Sequence, residues 1–70
     1  MLEQYIECEV CLGISSGYGY VSVIKAIEDG FIFCDVSHEL VDKDNTIEYN
    51  PKIRMAINIS HIETIEFLTN

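Results

Sequence analysis

Seventy residues with twelve acids against four bases, a formal charge of −8, describe one small acidic domain spanning residues 1–70. That charge argues against general binding of DNA or RNA, whose affinity rests on phosphate contacts. A chain this short buries only about 60% of the surface its unfolded form exposes, so a disulfide, a metal or association commonly supplements the core.

Three cysteines are an odd count, and the sequence shows neither a leader pattern nor an apolar run near the roughly 20 residues of a membrane span. Reduced thiols in a cytoplasmic protein are the expectation. Self-association is then the expected supplement to the core.

Along the chain, Gln4–Leu12 alternates, with Ile6, Cys8, Val10 and Leu12 on one side and Tyr5, Glu7, Glu9 and Cys11 on the other. Period two predicts a strand, although Leu2, Tyr5, Ile6 and Leu12 would also line a helix. Gly13–Gly19 holds three glycines and two serines and reads as a flexible turn that lets a ligand approach the backbone.

Tyr18–Ile27 and Phe31–Val36 then flank Asp29-Gly30, a strong hairpin signal because a type I′ turn needs positive φ at both central residues. That turn sets Glu28 opposite Phe31, Ile27 opposite Ile32, Lys25 opposite Cys34 and Val23 opposite Val36. One face then carries Val21, Val23, Lys25, Ile27, Ile32, Cys34 and Val36. The other carries Tyr20, Ser22, Ile24, Ala26, Phe31, Phe33 and Asp35. Both are largely apolar, and a second copy of the chain is the expected cover for one of them.

His38–Pro51 is polar and acidic and reads as a loop, with a short extra hairpin around Asp44-Asn45 as the alternative. Lys52–Ile59 predicts a strand with Ile53, Met55, Ile57 and Ile59 inward and Lys52, Arg54, Ala56 and Asn58 outward. Ser60 is placed to cap one helical turn over Ser60–Glu63. Thr64–Leu68 predicts a last strand with Ile65 and Phe67 inward.

Few residues here point to chemistry. Cys8-x-x-Cys11 is half of a zinc signature that Cys34, His38 and His61 would complete. On a strand, however, residues three apart face opposite sides, so Cys8 and Cys34 read as small core residues and no metal is expected. Cys34, Asp35 and His38 contain the parts of a nucleophilic triad, yet a reactive thiolate wants an electropositive surround and Asp35 and Glu39 supply the reverse. His38 and His61 read as solvated turn residues. The glycine segment lacks the lysine and hydroxyl of a phosphate-binding loop. No cofactor and no enzymatic activity are expected.

Two clusters remain as candidate ligand-binding residues. Ser15, Ser16, Tyr18 and Tyr20 set hydroxyls and aromatic faces around the glycine turn, suited to stacking a base and donating to oxygen. Lys52, Arg54 and Asn58 form an outward row, and arginine forks onto phosphate or carboxylate. Lys25, on an apolar face, must snorkel or meet an anion.

Five short strands, the Asp29-Gly30 hairpin and the ending Ile57-Asn-Ile-Ser-His-Ile-Glu-Thr-Ile-Glu-Phe resemble a small SH3-like or Sm-like barrel. The fold expected is therefore all-β, a five-stranded barrel with one short helical turn before the last strand. Sm and bacterial Hfq barrels are ring-forming RNA binders, but their basic, asparagine-containing loop signatures have no counterpart here.

Small size, acidity and isoleucine richness are also similar to phage-encoded inhibitors of bacterial defence, some of which sequester nucleotide-derived signals. That resemblance implies a homo-oligomeric, non-enzymatic protein holding a small anionic nucleotide in the host cytoplasm. The alternatives are an acidic inhibitor or adaptor of a basic protein, and an Sm-like RNA binder.

Overall fold

The computed structural model describes residues 2–15 and 17–68. Its strands are β1 (Glu9–Ser15), β2 (Tyr18–Glu28), β3 (Phe31–Asp42), β4 (Asn45–Asn58) and β5 (Thr64–Phe67). All pair antiparallel in one sheet ordered β4-β3-β2-β1-β5. A 3-10 turn at Leu2–Tyr5 precedes β1, and another at Ile59–His61 precedes β5. The all-β class, the five antiparallel strands and the single turn before the last strand are thus present. The ladder ends at β4 and β5, so the sheet is open in its hydrogen bonding rather than closed into a barrel.

The β2–β3 turn forms as its residues dictate. Asp29 and Gly30 have φ of 51° and 82°, and Glu28 and Ile27 face Phe31 and Ile32. Beyond that the register departs from expectation. Ala26 faces Phe33 and Ile24 faces Cys34, leaving Lys25 as an extra, unpaired residue. This bulge reverses the faces of β2, because side chains alternate with period two. Ile24 and Ser22, rather than Lys25 and Val23, therefore join Ile32, Cys34 and Val36 inside.

The N-terminal segment holds the bulge. Glu7 N donates to Ile24 O at 2.6 Å and Ile24 N donates to Cys8 O at 3.3 Å. Lys25 Nζ reaches Glu7 Oε1 at 2.8 Å. Gln4–Cys8 is accordingly not strand, as its alternation suggested. Its backbone groups serve the bulge and the 3-10 turn, where Cys8 N returns to Tyr5 O at 3.0 Å.

Val10, Leu12, Ile24, Ile32, Cys34, Val36 and Ile57 form the buried core, with Tyr5, Ile6, Cys8, Ile59, Ile62 and Ile65 packed against it from the turns, their flanks and β5. With one sheet and two turns described, the concave side is covered by the sheet's own curl and by those turns. Ser22 is the one buried polar residue among those described, and the polar group beside its hydroxyl is the Cys34 thiol.

Four further expectations are corrected. The Gly13–Gly19 turn is mostly strand, with Gly13 paired to Gly19. The glycines serve close approach: a Cβ on Gly19 would overlap the Leu12 carbonyl oxygen, and one on Gly13 would overlap Thr64 Oγ1. His38–Pro51 is not a loop but follows the alternative, a hairpin turning next to Asp44-Asn45, since His38–Leu40 pairs with Thr46–Glu48 as the far arm of β3–β4. That arm carries polar residues because it runs past the core, leaving Thr46–Glu48 exposed. Finally, Asn58 rather than Ser60 caps the second turn, accepting from Ser60 N at 2.9 Å. In β5, Ile65 packs inward, whereas Phe67 is exposed and stacks on Tyr5 with ring centroids 4.8 Å apart.

Candidate functional site

β2 and β3 carry Tyr20 and Glu39 to the same rung, and β1 sets Leu12 opposite Tyr20 on its other side. Tyr20 therefore stands on the concave face with Glu39 beside it, where the core gives way to the far arm of the β3–β4 hairpin. An extra residue at Ser37 places Glu39 there by shifting the β2–β3 register between Val36 and His38. The hydroxyl of Ser37 donates to Val21 O at 3.3 Å.

The result is a cleft of about 270 Å³ lined by Ile14, Ser15, Tyr18, Gly19, Tyr20, Glu39 and Leu40. Tyr18 is 54% exposed at its rim, while Tyr20 packs partly against the core. Tyr49, from β4, donates its hydroxyl to Glu39 Oε1 at 2.7 Å. Desolvation, then the Glu39 charge, raises the Tyr20 phenol above its ordinary range, and the Glu39 hydrogen bond does the same to Tyr49. Both phenols are neutral donors at physiological pH.

Of the first sequence-predicted cluster, Ser15, Tyr18 and Tyr20 thus meet in one cleft. Ser16 lies outside the described residues. The second cluster does not join them. Arg54 faces Asp35 across β3–β4 on the convex side and pairs with it through Nε and Oδ1. That hydrogen bond holds the Asp35 carboxyl below the usual aspartate range, with Lys25 and Lys52 adding attraction from farther away. Lys52 lies in the stretch of β4 that is offset from β3 around the cis Asn50-Pro51 bond. Asn58 is occupied as a cap.

Glu39, Leu40 and Tyr49 were not among the expected site residues. The alternation of Ile47 and Tyr49 with Thr46 and Glu48 is a local signal for Tyr49, masked by the acidity of the segment and by Asn50-Pro51, and Glu39 and Leu40 carry no such signal.

The reactive-looking groups elsewhere are occupied or unsuited. The buried Cys34 thiol is pushed up by burial, and the half-buried Cys11 thiol by burial and Glu66; a nucleophilic cysteine needs the opposite shift. His38 is half-buried on β3, with Nδ1 2.9 Å from Ser37 Oγ, rather than a solvated turn residue. His61 is exposed on the second 3-10 turn. Among the described residues no group of three or more His, Cys, Asp or Glu is arranged to hold a metal, and no helix is long and apolar enough to cross a membrane.

A second cleft of about 220 Å³ lies between Leu2 and Ile32, Ile59, Ile62, Glu63, Thr64 and Ile65. It contains no aromatic residue. On the convex face Val21, Val23, Ala26 and Phe33 are half-buried. Comparison with protein-family models, with curated proteins and with solved structures finds no match.

Proposed function

We propose that this chain is a non-enzymatic acidic binding module, an inhibitor or adaptor that engages a basic partner at the β1–β2 end of the sheet. The observation behind this reading is the Glu39 carboxylate in a tyrosine-lined cleft that has no basic residue in its wall. The surrounding charge agrees: His38–Pro51 adds Asp42, Asp44 and Glu48 against Lys43 alone. Attraction between oppositely charged protein surfaces speeds encounter and weakens as salt screens it.

The competing reading is sequestration of a small anionic nucleotide, and the meeting of Ser15, Tyr18 and Tyr20 favours it. Two features weigh against it. The cleft falls below the ~300–1,000 Å³ of pockets that enclose a drug-sized ligand, and Arg54, the expected phosphate holder, is bound to Asp35 on the other face.

The strand order and the turn before β5 support assignment to the SH3-like or Sm-like architecture, again as our reading. Self-association through Val21, Val23, Ala26 and Phe33 belongs to the same proposal. Sedimentation velocity showing only monomer removes that part of it.

Calorimetric titration with a basic peptide and with a nucleotide panel, at low and high salt, tests the whole. Peptide binding that weakens with salt is expected. Nucleotide binding without peptide binding would replace this reading with sequestration.

A further inference from the structure

We infer that the cleft between the β1–β2 turn and the β3–β4 arm is a guanidinium site that takes an arginine side chain from a basic peptide segment. This rests on the binding-module reading and names the group recognised.

Three observations lead to it. Glu39 lines the cleft and Tyr49 occupies one acceptor position on its Oε1, whereas an ionised carboxylate offers about four such positions. Glu39 shares that lining with Ser15, Tyr18 and Tyr20 as its other residues with polar side chains. Tyr18 and Tyr20 supply aromatic surface beside that carboxylate, and Tyr18 is exposed at the rim. A planar guanidinium is weakly hydrated, stacks on aromatic faces and forks onto a carboxylate, whereas an ammonium is compact and strongly hydrated.

The third observation is charge balance. Of four basic residues in the chain, Lys25 is paired with Glu7 and Arg54 with Asp35. Neither of these lines the cleft, and Lys43 and Lys52 are absent from its wall as well. Gly19 forms part of the cleft wall, and a Cβ there would run into the Leu12 carbonyl of the neighbouring strand. The volume of about 270 Å³, below that of pockets that enclose a drug-sized ligand, suits one side chain inserted from a partner.

The test is a backbone amide NMR titration of the intact chain with an arginine-containing basic peptide. A matched peptide has that arginine replaced by citrulline, which keeps the shape and loses the charge, and a third carries lysine. The expected result is shifts concentrated at Ser15, Tyr18–Tyr20, Glu39 and Leu40 with the arginine peptide. Citrulline should weaken binding about tenfold or more, and lysine should do so by less.

Glu39→Gln retains an acceptor for Tyr49 and should also weaken binding about tenfold, whereas the rim variant Tyr18→Ala should do so about two- to fivefold. Circular dichroism confirms that each variant is folded.

Equal binding of arginine and citrulline peptides overturns the guanidinium site. So does binding that maps to the Asp42–Asp44 turn and is untouched by Glu39→Gln; in both cases the binding module survives. Absence of binding by any basic peptide at low salt overturns both.

Discussion

The two ends of β3 are built for different purposes. From Ile32 to Val36, alternate residues are fully buried and their β2 and β4 partners complete the core. From His38 to Asp42 the same strand runs beyond the core, carries Glu39 into a cleft and leaves Asp42 exposed at the turn. Ser37, the extra residue between Val36 and His38, marks the change. A sheet segment whose residues are only half-buried contributes less apolar burial, so it is free to hold a carboxylate that the core end would exclude. One strand thus supplies stability at one end and recognition at the other.

The sharpest way to break this comparison is to truncate one residue at each end of β3. Ile32→Ala removes a fully buried side chain and should cost about 2–5 kcal/mol. Small domains rarely hold more than about 3–5 kcal/mol, so this variant should be largely unfolded by circular dichroism. Leu40→Ala, half-buried at the cleft, should cost about 1 kcal/mol in urea denaturation. Equal losses would mean that the arm belongs to the core.

An effect smaller than that of Ile32→Ala is expected at the point where β1 and β2 meet behind the cleft. Gly19→Ala pushes a methyl group against the Leu12 carbonyl, and overpacking of this kind should cost about 1–3 kcal/mol. The strand below the cleft must shift to accommodate it, so amide shifts should appear at Leu12 and Tyr20 in the absence of ligand.

The smallest effect concerns the convex ion pair. The Asp35 carboxyl is held below its ordinary value by Arg54. Its contribution is therefore present above the unfolded aspartate range and lost as pH falls through the lowered folded value. Asp35→Asn should reduce the decline in melting temperature between about pH 5 and about pH 3. An unchanged acid decline would assign it to other carboxylates, Asp42 foremost, whose carboxyl is also lowered by its bonds to Asn45 and Asp44 N.

Much of the strand content was legible because its signals are local. Asp29-Gly30 specifies its turn through two positive φ values, and Lys52–Ile59 shows Met55 and Ile57 inward by alternation, whereas Ile53, expected inward with them, is exposed. Ser15, Tyr18 and Tyr20 were recognisable as neighbours across a tight glycine-containing turn. The other half of the cleft was not, because Glu39 and Tyr49 come from an arm whose acidity resembles a loop. Arg54 looked available for a ligand because its partner Asp35 lies nineteen residues away.

The chain by itself determined an antiparallel all-β fold, its principal turn and the thiols' place as packing groups at Cys8 and Cys34. Tertiary structure alone decided which face of β2 is buried. The Lys25 bulge is held by Glu7 and Cys8, far away in sequence, and one inserted residue in a period-two strand reverses every side chain on one side of it. The same physics separated the two clusters of candidate residues, since alternation sends Tyr20 to the concave face and Arg54 to the convex one.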